Sequence, residues 1–160
     1  MNLDAFLKIG ETIELGSHTF TADEIKRFAE KYDPQPFHLN EEEAERSIFG
    51  RLCASGWHTC SMWMRYNLQA RERTTAAEWD GPGPRPTFGP SPGFSNVKWL
   101  KPVYAGDTIT FTRAAVGYRP LASKPGWTLV SLKGGAFNDA GETVFEFENT
   151  VLLHTGQQPA

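Results

Sequence analysis

Two side chains capable of acid–base chemistry, Asp33 and His38, lie five positions apart in this sequence. A histidine titrates near neutral pH, and a neighbouring carboxylate can orient it, so such a pair can move protons during a reaction. Pro34 and Pro36 lie between them, and each fixes its own φ and disfavours a helical conformation at the preceding residue. We therefore expect a stiff bend. Solvated turn residues are the alternative interpretation of Asp33 and His38.

Two predicted helices flank this bend. Thr21 and Glu24 have the spacing of a capping box, so the first helix begins there, and Pro34 ends it, which places Asp33 just past the helix C-terminus. Asn40 is a second helix-capping residue, and glutamates fill the following turn, 41–43, where the helix dipole favours negative charge. We interpret these glutamates as a solvated helix start and not as metal ligands.

A third helix is predicted from Trp57 to roughly Arg71, after the small residues Ser55 and Gly56. The unpaired amides at its start, at or near Gly56, could stabilise an oxygen that gains negative charge. Alternatively, Ser55 only caps the helix and Gly56 only permits close packing. The helix is expected to be buried at the centre of the domain through apolar residues that include Trp57, Cys60, Met64 and Leu68.

The second half of the chain has the alternation of strands. Residues 71–93 are so rich in glycine and proline that we expect an irregular loop, which could form a lid, a binding wall, an oligomer contact or a plain flexible insertion. Helices followed by strands predict an α+β fold in which an antiparallel sheet wraps the central helix. We expect one domain, 1–160, with its core at about 10–154. The predicted strands are 96–101, 108–112, 127–137 and 145–153, with 11–15 as an outer strand.

The composition is that of an ordinary soluble domain, with 160 residues, 39% hydrophobic residues and a net charge of -3. Basic residues are scattered, which argues against a nucleic-acid partner. No apolar run is long enough to cross a bilayer, and no secretory signal is visible, so we expect no membrane association. Cys53 and Cys60 cannot form a disulfide framework, and reduced thiols favour a cytoplasmic location.

The bend resembles the Asp-x-Asn-Pro-x-His motif of MaoC-like dehydratases and (R)-specific enoyl-CoA hydratases. Asp33, Pro36 and His38 match this motif at identical spacing, whereas Gln35 replaces the asparagine. The segment 97–108, which ends in a proline and a Gly-Asp turn, is similar to the family's corresponding strand and turn. The resemblance covers roughly residues 20–153.

A second part of the resemblance lies at the start of the central helix. The family usually has His-Gly-Met there, and this chain has Ser55-Gly56-Trp57, so only the glycine is retained. The indole of Trp57 is expected to reshape the pocket. The Gly/Pro-rich loop, 71–93, is longer than the resemblance leads us to expect, and it could narrow or cover the acyl site.

The resemblance implies a hot-dog fold and a hydro-lyase that reversibly adds water to a trans-2-enoyl thioester, giving an (R)-3-hydroxyacyl thioester. By the same resemblance Asp33 and His38 form the catalytic dyad, and the Gly56 amide is the oxyanion donor. The partner is an acyl-CoA or acyl-carrier thioester, with coenzyme A only as part of the substrate and no metal or other cofactor. A homodimer or higher homo-oligomer is expected. The implied substrate-binding residues are Gln35, Pro36, Ser55 and Trp57.

Two other functions remain open at this point: a hot-dog acyl-CoA thioesterase, and a non-catalytic subunit that binds acyl thioesters. The remaining histidines, His18, His58 and His154, are interpreted as structural. Four basic residues could contact coenzyme A phosphates, although we favour their interpretation as solvated strand or loop positions. These residues are Lys98, Lys101, Arg119 and Lys124.

Overall fold

The computed structural model describes residues 2–156. Helices occupy the first half of the chain, and a six-stranded antiparallel sheet is built mainly from the second half. The helices are α1 (Leu3–Leu7), α2 (Ala22–Tyr32), α3 (Pro36–Leu39), α4 (Glu41–Glu45) and α5 (Gly56–Gln69), followed by a 3₁₀ turn at Arg71–Arg73. The strands are β1 (Thr12–Thr19), β2 (Thr87–Phe88), β3 (Gly93–Trp99), β4 (Thr108–Pro120), β5 (Trp127–Phe137) and β6 (Thr143–His154).

The three longest strands, β4, β5 and β6, form the middle of the sheet in the order β1-β4-β5-β6-β2. Both β2 and β3 pair with β6, so the far edge of β3 is open within residues 2–156. Along β4 and β5 alternate residues are buried, as expected for strands with one face against a core. The predicted strands exist, but β1 and β4 continue for several residues beyond their predicted ends.

Helix α5 packs across this sheet through Trp63. The Trp63 ring meets Phe147 edge-on at 4.7 Å, and its indole Nε1 donates to the Thr112 carbonyl at 2.9 Å. The expectation that the whole helix is buried is wrong, because Trp57, Met64 and Leu68 are 51%, 43% and 55% exposed. A helix presents only one face to a sheet, and within residues 2–156 no element covers the second face of α5.

The core extends closer to the N-terminus than residue 10. Phe6 and Leu7 of α1 are buried and belong to a second apolar cluster with Val130 and Leu153. The sequence did not predict α1, because a helix of five residues is too short to show a clear apolar period.

The Gly/Pro-rich loop, 71–93, is less irregular than expected. It contains the 3₁₀ turn and the short strand β2, which pairs with the end of β6. Arg85 ties the loop together by donating to the carbonyls of Ala76 and Ala77 at 2.8 Å. Among the helices of residues 2–156, none has both the length and the apolar character needed to cross a membrane.

Candidate active site

The predicted helix caps position the bend. The Thr21 hydroxyl accepts from the Glu24 amide at 3.3 Å, and the Asn40 side chain accepts from the Glu43 amide at 3.1 Å. Asp33 is the C-cap of α2, where its amide still bonds to Ala29. The bend is not entirely extended, because residues 36–39 form the single turn α3, which begins at a proline. Asp33 therefore lies at the end of one helix and His38 within the next.

Asp33 and His38 face each other inside the protein. Asp33 Oδ2 lies 3.4 Å from His38 Nε2, and His38 is 5% exposed. His38 Nδ1 lies 2.6 Å from the backbone carbonyl of Cys53. Because a carbonyl oxygen can only accept, Nδ1 carries the hydrogen, and Nε2 of the neutral ring is left as an acceptor. Two acceptors, a carboxylate oxygen and an imidazole nitrogen, thus converge on one point.

Both oxygens of the Asp33 carboxylate receive hydrogen bonds. The Ser55 hydroxyl donates to Oδ2 at 2.7 Å, and the Gln35 amide donates to Oδ1 at 2.7 Å. The Ser55 oxygen also accepts from the Trp57 amide at 3.3 Å, so it is the N-cap of α5 as predicted. Ser55 therefore joins the start of α5 to the carboxylate. Gln35, which replaces the family's asparagine, holds the other oxygen.

Gly56 is the first residue of α5, where helix amides have no intrahelical acceptor. Within residues 2–156 no acceptor receives the Gly56 N–H. The Trp99 indole packs directly on Gly56, and a Cβ built at this position would lie 2.4 Å from Trp99 Cε2. Only glycine fits beneath this ring. Trp57 meets the same indole edge-on at 5.2 Å.

A cavity of about 450 Å³ brings these groups together. It is lined by five of the predicted site residues, whereas Pro36 and Ser55 are not part of its lining. Pro36 starts α3, and Ser55 is fully buried behind Asp33. The five are Asp33, Gln35, His38, Gly56 and Trp57.

The other walls of this cavity come mainly from residues that the sequence did not identify. They are largely apolar and aromatic, as in most small-molecule sites. No residue of the described loop 71–93 lines the cavity, so the expectation that this loop narrows or covers the site is wrong for the single chain. The additional lining includes Phe49, Leu100, Val103, Val144 and Trp99.

Cys53 is the most important contact that sequence reasoning missed. Its carbonyl orients His38, and its thiol Sγ lies 3.8 Å from His38 Nδ1. Burial raises the pKa of the Cys53 thiol to about 11, so the thiol stays protonated and is a poor nucleophile. The amino-acid type at position 53 could not predict this contact, because the atom that contacts His38 is the backbone oxygen.

The other histidines lie outside the cavity lining. His58 is buried and stacks on Phe28 with ring centroids 4.6 Å apart. Burial lowers the pKa of His58 to about 4, although nearby Glu24 acts in the opposite direction. His18 Nε2 lies 2.5 Å from the same glutamate, and His154 is exposed beside Trp127. Within residues 2–156 no group of three or more His, Cys, Asp or Glu side chains could hold a metal ion.

Of the four basic residues considered for coenzyme A, only Lys101 lines the cavity. Its ammonium group forms an ion pair with Glu142, and both side chains are partly exposed. Lys124 instead lies over the Trp127 ring at 4.8 Å, and Arg119 is exposed near the end of β4. Lys101 is therefore the one residue of these four that places a cationic group at the cavity, where it pairs with Glu142.

The family model for the MaoC like domain matches residues 5–128 of this chain. The chain belongs to the MaoC-like family. The matched segment includes the bend at 33–38, all of α5 and strands β1 to β4. The predicted family is thereby confirmed.

This MaoC-like chain is similar over most of its length to several solved structures and to one curated relative. It is 30% identical to the MaoC-like dehydratase from Rhodospirillum rubrum, with a TM-score of 0.76 over 97% of this chain and 99% of that one. It is 27% identical to the uncharacterized protein YdeM of Bacillus subtilis (strain 168), over 96% of this chain and 99% of YdeM. The (R)-hydratase from A. caviae involved in PHA biosynthesis, 24% identical, superimposes with a TM-score of 0.64 over 89% of this chain and 94% of that one. The predicted hot-dog fold is confirmed.

Proposed function

We propose that this MaoC-like protein is a hydro-lyase that reversibly adds water to a trans-2-enoyl thioester, giving an (R)-3-hydroxyacyl thioester. The proposal rests on the 3.4 Å separation of Asp33 Oδ2 and His38 Nε2 in a cavity that Gly56 also lines. A dehydratase at 30% identity and the fold of an (R)-hydratase support this class of reaction.

The first chemical step is activation of water by the Asp33 and His38 pair. A water molecule at this point donates one hydrogen to the carboxylate oxygen and the other to Nε2, which leaves an oxygen lone pair directed into the cavity. The pair takes a proton as the water oxygen bonds to the β-carbon, and it returns a proton to the α-carbon. A positioned acid–base group contributes roughly 10² to 10⁴ in rate. We treat the two residues as one coupled unit, because groups this close titrate together.

The second requirement is stabilisation of the enolate that forms when water attacks. The thioester oxygen gains negative charge, and the Gly56 N–H at the start of α5 is the donor that we assign to it. Such a donor contributes about 3 kcal/mol to transition-state stabilisation. The Gln35 and Ser55 hydrogen bonds keep the carboxylate oriented during the reaction. Lys101 is the residue that we assign to the coenzyme A moiety.

The active assembly in this proposal is a homodimer in the cytoplasm. The open edge of β3 and the exposed apolar residues Phe94 and Leu100 form a surface that a second copy would cover. A two-fold axis at β3 would continue the sheet from one copy into the next. Unpaired Cys53 and Cys60 suit a reducing compartment.

The test is a hydration assay with crotonyl-CoA and longer trans-2-enoyl-CoA substrates, following loss of the ultraviolet absorbance of the conjugated thioester. We expect hydration by the purified protein and an (R)-3-hydroxyacyl product on chiral analysis. Asp33→Asn and His38→Ala abolish most of this rate, whereas Asp23→Asn, which changes an exposed aspartate of α2, does not. Release of free coenzyme A without hydration would identify a thioesterase instead. Binding of an acyl-CoA analogue without either reaction would identify a non-catalytic subunit.

A further inference from the structure

A buried arginine lies outside the candidate active site. Arg113, on β4, is 6% exposed and belongs to the face of the strand that packs on α5. Among residues 2–156 no Asp or Glu forms an ion pair with it. Burial lowers the pKa of Arg113 to about 10, and the like charge of Arg71 acts in the same direction. The guanidinium nonetheless remains protonated at neutral pH.

Arg113 has unused hydrogen-bond capacity. Its Nη1 donates to Asn67 Oδ1 at 2.9 Å, which is the single hydrogen bond of this side chain within the described chain. A guanidinium group has five N–H donors in a planar fork that matches a carboxylate. An arginine buried without a carboxylate is costly to the fold, so a ligand that supplies the missing charge would be bound favourably.

A second cavity, of about 170 Å³, borders Arg113 at the C-terminal end of α5. Asn149 also lines it, and the Asn149 side-chain oxygen Oδ1 is buried without a hydrogen-bond partner. The asparagine amide can present an acceptor or, after rotation, two donors to a ligand. A cation without an anionic partner and an amide oxygen without a hydrogen-bond partner thus border the same cavity within residues 2–156, with Arg71 also at its boundary.

The remaining walls of this second cavity favour an organic ligand over a hydrated inorganic ion. Apart from Asn67, Ser91 and Gly89 they are apolar, and the Phe88 ring lies 5.6 Å from the Arg113 guanidinium carbon. At about 30 Å³ per water molecule the space holds roughly five or six water-sized groups, which suits a short-chain acid. The apolar wall residues are Met64, Leu68, Phe88, Leu132 and Val151.

We propose that this second cavity binds the carboxylate of a small organic acid, with Arg113 as the charged contact and Asn149 as the second polar contact. The carboxylate belongs either to a free acid or to the far end of a dicarboxylic monothioester. Met64 and Leu68, at the rim, are on the open face of α5, so access from a neighbouring copy is available. The monothioester alternative rests on the proposed hydratase function, whereas binding of a free acid does not.

Isothermal titration at constant ionic strength tests the site, with succinate, 3-hydroxybutyrate, acetate and inorganic phosphate as probes. We expect succinate or 3-hydroxybutyrate to bind the wild-type protein with a Kd of about 1 mM or tighter. Arg113→Met weakens this binding at least tenfold, and Arg119→Met, which removes an exposed arginine from the same strand, leaves it unchanged. If Arg113→Met does not fold, Asn149→Ala keeps the guanidinium and is expected to weaken binding several-fold. Absence of binding by every carboxylate probe, or equal binding by the two arginine variants, would overturn the proposal.

A kinetic experiment shows whether the carboxylate belongs to a free acid or to a dicarboxylic monothioester. In the hydration assay we compare KM for glutaconyl-CoA, which has a distal carboxylate, with KM for crotonyl-CoA, which has none. A tenfold rise in the ratio of KM for glutaconyl-CoA to KM for crotonyl-CoA in Arg113→Met assigns the site to a dicarboxylic monothioester. This result supports the site even if free acids bind weakly. An unchanged ratio together with lost succinate binding assigns the site to a free acid. Failure to hydrate either thioester would contradict the proposed function and leave the titration as a separate test of the site.

Discussion

The Ser55 hydroxyl donates a 2.7 Å hydrogen bond to Asp33 Oδ2, the same carboxylate oxygen that faces His38 Nε2 at 3.4 Å. Ser55 also caps α5 by accepting from the Trp57 amide. The Ser55 hydroxyl therefore connects α5, which begins with Gly56, to the Asp33 and His38 pair that would activate water. The positions of the acid–base pair and of the oxyanion donor are coupled through this residue.

Ser55→Ala is expected to lower kcat/KM for crotonyl-CoA hydration by roughly tenfold to a hundredfold. A hydrogen bond to a charged group is worth about 1.5–3 kcal/mol, and its loss frees the carboxylate to rotate. Loss of the N-cap also lowers the free energy of unfolding by about 1 kcal/mol, which urea denaturation measures. Ser61→Ala removes an exposed hydroxyl from the same helix and is the control. Full activity in Ser55→Ala would show that this contact does not position Asp33.

Asp33→Asn and His38→Ala are each expected to reduce kcat by about 10² to 10⁴ while the fold is retained. Because the two residues act as one unit, the double variant should be little slower than the slower single variant. Steady-state kinetics on the three proteins, with circular dichroism as the folding control, provide the measurement. Multiplicative losses in the double variant would mean that the two residues act independently.

Gly56→Ala is expected to destabilise the protein by about 1–3 kcal/mol, because its Cβ would lie 2.4 Å from Trp99 Cε2. Trp99→Ala should relieve this clash, so the double variant should be more stable than the sum of the single changes predicts. Thermal unfolding of the four proteins completes the cycle. Additive destabilisation would indicate that the Trp99 ring is not what excludes a side chain at position 56.

Stability is expected to fall in mild acid because of His58. Its pKa is about 4 in the folded protein, against 6.5 for an unperturbed histidine. Between these values the unfolded chain binds a proton that the folded chain does not, so the free energy of unfolding decreases as pH falls from 6.5 towards 4. At about 1.4 kcal/mol per pH unit between pH 6.5 and about 4, this contribution is at most about 3.5 kcal/mol.

His58→Phe should flatten this pH dependence in urea denaturation curves, since Phe can pack between Phe20 and Phe28. His154→Phe, at an exposed position, should keep the wild-type slope. Glu24 and His18 also face this ring, and they are present in both variants, so the difference between the two slopes isolates His58. Equal slopes would contradict the burial argument.

Phe94→Asp is expected to convert a dimer into a monomer in light scattering coupled to size-exclusion chromatography. Phe94 is 62% exposed on the open edge strand β3, and an aspartate there would place like charges across a two-fold contact. Ile48→Asp, at a position that is 96% exposed and belongs to no strand, is the control. A wild-type protein that is monomeric at all concentrations would refute the proposed dimer.

The amino-acid sequence determined the local structure of the candidate site. Capping side chains at Thr21, Asn40 and Ser55 and the breaks at Pro34 and Pro36 specify where short helices start and stop. These are interactions between near neighbours in the chain, so residue type and spacing suffice to predict them. The motif that these residues frame was sufficient to predict the family and the hot-dog fold.

Only the tertiary structure decided which atoms meet. The Cys53 carbonyl that orients His38 and the Trp99 ring above Gly56 come from segments 15 and 43 residues away from their partners, and one acts through its backbone. The exposed face of α5, and the lack of an anionic partner for Arg113 within residues 2–156, likewise depend on which side of a helix or strand another element covers. Periodicity identifies an apolar or polar position, but long-range packing determines what covers it.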